Sequence, residues 1–170
     1  MNIEQYIAIV EDYPVKGVTF RDITPLLKSP EGFYELVEEW SLALKDIEAN
    51  KILATEARGF VFAAPIAIAL GLPLILVRKK GKLPKETVSI EYALEYGTDS
   101  LFVHKDDIEA GDKIIIIDDI LATGGTANAT CSLVEKCGGE VASCSFMLEL
   151  DGLNGRENLR DRNLLSLYHA

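Results

Sequence analysis

The sequence predicts an α/β fold with a mainly parallel central sheet flanked by helices. Short runs of β-branched apolar residues alternate along the chain with segments of helical periodicity, which is the order of a parallel α/β protein. The clearest run, Ile114–Ile117, consists of four consecutive isoleucines and is typical of a strand buried on both faces. A length of 170 residues suits one domain with a substantial core.

The N-terminal part of the chain predicts two helices joined by a loop. Apolar residues recur at helical spacing at Ile3, Tyr6, Ile7 and Val10, and Pro14 with Gly17 ends this first helix. A second helix begins with Ser29 as its cap and Pro30 at its first position. The loop between them contains Phe20–Pro25.

From residue 51 onward, predicted strands alternate with predicted helices. The strands are Lys51–Ala54, Leu74–Val77, Lys113–Ile117, Val141–Leu148 and Leu164–Tyr168. The helices are Pro65–Leu70, closed by Gly71, and Thr126–Cys137, ended by Gly138 and Gly139. The polar stretch 78–107 is an excursion in which Val88–Leu94 and Ser100–His104 form a hairpin.

Composition excludes several classes of protein. The formal net charge of −10 argues against a nucleic-acid partner held by bulk electrostatics. The three cysteines form no C-x-x-C pair, so we expect no zinc site and a reducing compartment. The N-terminus lacks the pattern of a signal peptide, and no apolar run reaches the ~18 residues of a bilayer span. We therefore expect a cytoplasmic protein with no membrane partner.

The most informative stretch is the junction that follows the isoleucine run. Asp118 and Asp119 stand where that strand should end, and Thr123–Thr126 opens the next helix. Free backbone N–H groups at a helix N-terminus suit a phosphate, and the paired glycines allow close approach. The two carboxylates suit hydroxyl groups or a hydrated divalent cation. A phosphorylated sugar carries groups for both halves of this junction.

Two further loops follow predicted strands and carry basic residues. Arg78–Lys82 contains four cations in five residues, which favours a second phosphate or a pyrophosphate. Arg58 lies between Ala57 and Gly59 and fits the same role. Because the carboxyl ends of parallel strands share one edge of a sheet, we expect Glu56–Gly59, Arg78–Pro84 and Asp118–Thr126 to meet there.

Two other segments leave alternatives open. The Phe20 side chain either packs into the hydrophobic core or contacts a flat heterocyclic ligand. The stretch Glu91–Gly97 either carries surface charge on a hairpin or forms a lid whose glutamate moves a proton after closure. His104 and His169 have no companions that suggest a ligand set.

These motifs together resemble a known family. Residues 114–126 resemble the phosphoribosyl pyrophosphate (PRPP) motif of the type I phosphoribosyltransferases. Further segments resemble the adenine phosphoribosyltransferase members of that family over nearly the whole chain, and they are Phe20–Pro25, Arg58–Phe60, Arg78–Pro84, Leu94–Gly97 and Glu149–Arg156.

The resemblance implies an architecture and a reaction. It implies the type I phosphoribosyltransferase fold as a single domain over 1–170, with a small hood over 1–30 that recognises the base. The excursion 78–107 would carry the basic loop and a flexible lid loop. The implied reaction, a step of purine salvage, joins adenine to PRPP and gives AMP and pyrophosphate. It implies Mg²⁺ held mainly through PRPP oxygens and water, and a homodimer.

The resemblance also assigns residues to roles. It implies that Asp118 and Asp119 hold the ribose hydroxyls, and that these two residues and Arg58 serve both in catalysis and in PRPP binding. It implies proton transfer by Glu95. The PRPP-binding set is completed by Lys79, Lys82, Ala122, Thr123, Gly124, Gly125 and Thr126. The base-binding set is Thr19, Phe20 and Arg21.

Two rival functions share much of this pattern. A regulator that senses PRPP without catalysis would use the same fold, but the acidic chain shows no appended helix-turn-helix pattern. A transferase for hypoxanthine, xanthine or orotate would use the same PRPP site. The base is assigned by resemblance only, because nothing in the chemistry of the residues selects it.

Overall fold

The computed structural model describes residues 1–93 and 97–170. Leu94, Glu95 and Tyr96 lie outside the described residues, so the predicted role of Glu95 stays a prediction. The chain divides into two compact units, Met1–Ala43 and Leu44–Ala170. The residues predicted to bind phosphate and ribose all belong to the second unit.

The first unit combines a short antiparallel sheet with helices. Its elements are β1 (Ala8–Val10), β2 (Phe20–Asp22), α1 (Thr24–Leu27) and all but the last residue of α2 (Pro30–Leu44). The predicted second helix is confirmed as α2. Its cap is confirmed too, because the Ser29 hydroxyl accepts a hydrogen bond from the Gly32 backbone N–H at 3.1 Å.

The predicted N-terminal helix is wrong. Only Ile3–Tyr6 forms a single 3-10 turn, and the chain then continues as β1. The loop predicted over Phe20–Pro25 is wrong as well, since its first residues form β2 and pair with β1, with Val10 opposite Phe20. The hydrogen bonds of this pairing outweigh a helical pattern that spans only two turns and has no strong cap.

The second unit contains a five-stranded sheet and a separate hairpin. Its elements are β3 (Lys51–Thr55), α3 (Arg58–Leu70), β4 (Leu74–Val77), β5 (Thr87–Ala93), β6 (Thr98–His104), β7 (Lys113–Leu121), α4 (Gly125–Lys136), β8 (Glu140–Glu149) and β9 (Leu164–His169). The strand order of the sheet is β4-β3-β7-β8-β9, and every pairing in it is parallel. The predicted fold class and the predicted hairpin are confirmed.

Two element boundaries differ from the prediction near the expected site. Helix α3 starts at Arg58 rather than at Pro65, so Arg58 and Gly59 form its first turn. Strand β7 continues past Ile117 to Leu121 because its partner β8 stays paired with it as far as Glu149. Asp118 and Asp119 are therefore strand residues, and their positions are fixed by the sheet.

The core of the second unit forms around β7. All four residues of Ile114–Ile117 are at most 1% exposed, and burial of each such side chain contributes about 1.5–3 kcal/mol. Helix α3 packs against β3 and β7, while α4 packs against the hairpin strands and β8. Among the described helices, none has both the length and the apolar character needed to cross a bilayer.

Candidate active site

Three loops meet at the carboxyl edge of the sheet, as the sequence predicts. Strands β4, β3 and β7 are parallel neighbours, so the segments that follow them share one edge. They enclose a cleft of about 390 Å³, which is large enough for a small phosphorylated ligand. The lining includes Glu56, Ala57, Arg58, Lys79, Phe146 and every residue from Asp118 to Ala127.

The phosphate loop, which we define as Ala122–Thr126, runs from the end of β7 into the first turn of α4. Gly124 has φ +81°, and a Cβ atom there would lie 2.5 Å from the carbonyl oxygen of Gly155. The Asn158 side-chain amide donates a hydrogen bond to the Thr123 carbonyl oxygen at 2.6 Å. The segment that contains Gly155 and Asn158 thus fixes the position of the loop. The N–H groups at the first turn of α4 are in the position where helix N-termini bind anions.

The two carboxylates at the end of β7 have different partners. Asp118 accepts hydrogen bonds from the Thr55 hydroxyl and, at 2.9 Å, from the Asp119 backbone N–H. Asp119 is ion-paired with Arg58, with 2.6 Å between the carboxylate Oδ2 and the guanidinium Nε. Gly59 allows the close approach of α3, because a Cβ there would lie 2.9 Å from Asp118 Oδ1.

The environment of these carboxylates opposes ionisation. Burial, helped by the charge of Asp119, raises the pKa of Asp118 to about 7. Burial also raises the pKa of Asp119, although the Arg58 guanidinium acts in the opposite direction. Such a pair gains stability from a ligand that supplies hydroxyl donors or a positive charge.

The basic loop after β4 is held by acidic partners. Glu56 accepts hydrogen bonds from the Lys79 backbone N–H at 2.8 Å and from Arg78 Nε at 3.0 Å. These two bonds lower the pKa of Glu56. The Lys79 ammonium group bonds to Asp99 and Tyr92 on the hairpin. Lys79 lines the cleft, whereas Lys82 is exposed and is not part of the lining.

The three predicted base-binding residues belong to the first unit. The exposed Thr19 hydroxyl donates a hydrogen bond to Glu11 Oε2 at 2.9 Å. The Phe20 ring packs edge-to-face against Tyr13, with the ring centroids 5.1 Å apart. Arg21 stands opposite Ile9 in the pairing of β1 with β2. Phe20 therefore has an aromatic neighbour within its own unit.

Several residues that organise the cleft were not singled out from the sequence. Thr55 ends β3 and bonds to Asp118, and Glu56 follows it and bonds to Arg78. Asn158 holds the phosphate loop from a 3-10 turn that the sequence did not predict. Thr55 carried a signal, since it is a polar residue directly after the predicted strand Lys51–Ala54. Asn158 lies 35 positions from Thr123, and no local pattern predicts such a contact.

Comparison with known proteins gives the class of this fold and site. The family model for the phosphoribosyl transferase domain matches residues 31–163, which include the whole cleft. The chain therefore belongs to the phosphoribosyltransferase family.

The relatives narrow the class further. The chain is 51% identical over 161 residues to the adenine phosphoribosyltransferase of Pseudothermotoga lettingae, covering 95% of each protein. It superimposes on the crystal structure of adenine phosphoribosyltransferase from Thermoanaerobacter pseudethanolicus with a TM-score of 0.96 and 48% identity, covering 99% and 98% of the two chains. The Saccharomyces cerevisiae enzyme, at 36% identity, gives a TM-score of 0.92, covering 97% and 96%. Within its family, the chain thus groups with the adenine phosphoribosyltransferases.

Replacement of Gly124 by alanine tests the phosphate loop. We expect Gly124→Ala to lose about 2–4 kcal/mol of unfolding free energy, because it combines a positive φ with a clash against Gly155. We also expect PRPP binding, measured by calorimetry, to weaken about tenfold or more. Gly111→Ala is the matched control, since Gly111 has φ +88° and open space around its Cβ position. Equal effects of the two substitutions on PRPP binding would contradict this account.

Replacement of Asp118 by asparagine tests the buried charge. The pKa of Asp118 is raised from 3.8 to about 7 in the folded protein, so folding takes up a proton between these two values. Stability therefore falls as pH rises from about 4 to about 7 and changes little above that. We expect Asp118→Asn to be more stable than the wild type by about 2 kcal/mol at pH 8 and to flatten this dependence. Urea unfolding at several pH values measures both effects. Asp106→Asn, on an exposed loop, should keep the wild-type profile; the same pH slope in Asp118→Asn and wild type would refute the prediction.

Proposed function

We propose that this chain transfers the 5-phosphoribosyl group from PRPP to adenine and releases AMP and pyrophosphate. The observation that carries the proposal is one cleft that combines a phosphate loop, a carboxylate pair and basic residues. PRPP has a 5′-phosphate, ribose hydroxyls and a pyrophosphate, which these three sets of groups match in charge and hydrogen bonding. The membership of the chain among adenine phosphoribosyltransferases supports adenine as the acceptor.

In this proposal the 5′-phosphate binds at the phosphate loop and the ribose at the carboxylates. The backbone N–H groups of Gly125 and Thr126 and the hydroxyls of Thr123 and Thr126 donate to the phosphate oxygens. Asp118 and Asp119 accept hydrogen bonds from the 2′- and 3′-hydroxyls. These hydroxyl donors offset the free energy that burial of the two carboxylates costs.

The pyrophosphate binds on the side of the basic residues. Arg58 and Lys79 line the cleft, and their present partners, Asp119 and Asp99, are carboxylates. An incoming pyrophosphate competes with Asp119 for Arg58. It is a further acceptor for the Lys79 ammonium group, whose third N–H remains after its bonds to Asp99 and Tyr92. Lys82, exposed on the same loop, adds a third charge as the loop approaches the ligand.

The cleft fits a Mg²⁺ ion that arrives with PRPP. Carboxylate oxygens are suitable partners for this cation, but the oxygens of Asp118 already bond to Thr55 and to the Asp119 backbone, and Asp119 Oδ2 contacts Arg58. Asp118 and Asp119 would therefore hold a hydrated ion through its water molecules. When bound, the ion neutralises charge on the departing pyrophosphate.

The residues of the chain support a transition state with positive charge on the ribose ring. As the bond from C1 to pyrophosphate breaks, the negative carboxylates of Asp118 and Asp119 stabilise the sugar cation, while Arg58 and Lys79 stabilise the leaving group. The lid of the excursion 78–107 excludes water that would hydrolyse the activated sugar. Glu95, carried by that lid, exchanges a proton with the base.

The proposal for the base rests on the first unit and on relatives. Thr19, Phe20 and Arg21, within the hood segment 1–30, recognise adenine through main-chain groups and an aromatic face. The Saccharomyces cerevisiae relative was crystallised with adenine and an imino-altritol 1,6-bisphosphate. An aromatic ring beside a flat heterocycle gives stacking but no strong choice among purines, so backbone hydrogen bonds must supply the selectivity.

The first experiment supplies Mg²⁺, PRPP and one base at a time, and measures nucleotide and pyrophosphate. We expect AMP from adenine, with kcat/KM at least about a hundredfold higher than for hypoxanthine, xanthine or orotate, because wrong hydrogen-bonding edges leave buried groups unpaired. Nucleotide from another base would retain the PRPP site and refute adenine. PRPP binding with no product from any base would favour the regulator.

The double variant Asp118→Asn with Asp119→Asn is the control for the location of the chemistry. We expect it to stay folded, since it removes two buried charges, and to lose at least about a thousandfold in kcat/KM. Turnover near that of the wild type in this variant would show that the reaction does not use this carboxylate pair.

We also propose that the chain is a homodimer that associates through α3. This helix is apolar on its exposed face as well as on its buried one, since Val61 is 40% exposed and Ile68 is 84% exposed, and Ala64 lies between them. An apolar stripe of this kind is typical of a subunit interface. Arg58 opens the same helix, so dimerisation would also stabilise the cleft.

Replacement of Ile68 by glutamate tests this interface. We expect Ile68→Glu to shift the protein from dimer to monomer in analytical ultracentrifugation at micromolar concentration, because a charge then lies in the apolar contact. Leu42→Glu is the matched control, an apolar residue of α2 that is 63% exposed. Dissociation by Leu42→Glu and not by Ile68→Glu would move the interface to α2.

A further inference from the structure

A cross-strand pair on the hairpin reaches the phosphate loop. Tyr92 on β5 stands opposite Asp99 on β6. The Tyr92 hydroxyl lies 3.3 Å from Asp99 Oδ2, 3.2 Å from the Lys79 ammonium group and 3.3 Å from the Thr126 hydroxyl. Thr126 lines the cleft. One phenol therefore connects the hairpin, the basic loop and the phosphate loop.

The number of protons in this network restricts its arrangements. Lys79 donates to both Asp99 and Tyr92, so the Tyr92 oxygen already accepts one hydrogen bond. The single Tyr92 proton then goes either to Asp99 or to Thr126. If it goes to Asp99, the hydrogen bond between Tyr92 and Thr126 forms only when Thr126 donates its own proton to Tyr92. If it goes to Thr126, the Thr126 proton is free to point into the cleft.

An anion in the cleft favours the second arrangement. A phosphate oxygen is an acceptor, so Thr126 can bond to it only by donating its own proton. The Lys79 ammonium polarises the Tyr92 hydroxyl and strengthens its donation to Thr126, because hydrogen bonds in a chain reinforce one another. Asp99 accepts from Lys79 instead and keeps this ammonium close to Tyr92; it also accepts from the Ser100 backbone N–H at 2.7 Å.

We propose that Tyr92 is a positioning residue for the 5′-phosphate. Held by Lys79 and Asp99, the Tyr92 hydroxyl donates a hydrogen bond to the Thr126 hydroxyl, which in turn donates a hydrogen bond to the phosphate. The inference rests on the proposed function in that it takes a sugar 5′-phosphate as the ligand. It adds a role for the hairpin that does not depend on Glu95. Phosphate binding and the position of the hairpin are thereby coupled through one hydroxyl group.

Replacement of Tyr92 by phenylalanine tests the relay, because it removes the hydroxyl and keeps the ring. Steady-state kinetics should show kcat/KM for PRPP lowered about fivefold to tenfold, through a higher KM for PRPP and with the KM for adenine unchanged. Glu86→Gln is the matched control, since Glu86 pairs with Lys105 at the other end of the same hairpin at 2.9 Å. An unchanged KM for PRPP in Tyr92→Phe, or an equal change in Glu86→Gln, would overturn the proposal.

A double-mutant cycle separates this role from a structural one. Thr126→Val removes the hydroxyl that Tyr92 is proposed to orient, so Tyr92→Phe should change kcat/KM less than about twofold in that background. Fully multiplicative effects of the two substitutions would show that Tyr92 acts independently of Thr126 and would refute the relay. Retention of the wild-type melting temperature in each variant shows that the cycle compares folded proteins.

Binding of ribose 5-phosphate distinguishes failure of the relay from failure of the proposed function. This probe carries the 5′-phosphate but no pyrophosphate, and its binding needs no turnover. Calorimetry should show it bound about fivefold more weakly by Tyr92→Phe than by the wild type, with the loss absent in the Thr126→Val background. If the wild type forms no AMP but this pattern holds, the proposed reaction fails and the relay stands. If AMP forms and the pattern is absent, the relay fails alone.

Discussion

The arrangement of the second unit depends on the burial of two adjacent carboxylates at the end of β7. A strand whose isoleucines are buried on both faces leaves little water for Asp118 and Asp119, and burial of a carboxylate without partners is strongly unfavourable. The partners therefore come from neighbouring elements: Thr55 from β3 and Arg58 from α3. These contacts require β3, β7 and the start of α3 to lie in one register, which the parallel pairing provides.

Close packing around this constraint explains the small residues at the cleft. Gly59 lets α3 begin against the Asp118 carboxylate, and Gly124 and Gly155 bring the phosphate loop and the C-terminal segment into backbone contact. A side chain at any of these three glycines would push apart elements whose polar groups are in contact. The cleft is thus stabilised by backbone approach as much as by the side chains that line it, which suits a site where N–H groups bind an anion.

Much of this arrangement could be predicted because its signals are local. The isoleucine run, the Asp-Asp pair and the Thr123–Thr126 turn lie within thirteen residues, 114–126, and strand order then brings Arg58 and Arg78–Lys82 to the same edge. The N-terminal helix was wrong because a short periodic segment fits a helix or a strand until its partner, Phe20–Asp22, is known. Contacts such as Asn158 with Thr123, or Tyr92 with Thr126, join residues 35 and 34 positions apart, and only the tertiary fold determines them.

The proposed binding of an anion at this edge of an acidic chain uses cations that are already paired with carboxylates. Arg58 pairs with Asp119, Lys79 with Asp99, and Arg78 with Glu56, so the basic side chains are held in position without a large local excess of positive charge. A pyrophosphate competes for cations that are already oriented, which reduces the entropy lost on binding. In the proposed complex, Asp119 gains ribose hydroxyls in place of Arg58. Arg58 exchanges Asp119 for the pyrophosphate, and Asp119 exchanges Arg58 for the ribose hydroxyls. Because each exchange frees the partner for the other, binding on the pyrophosphate side of the cleft is linked to binding on the ribose side.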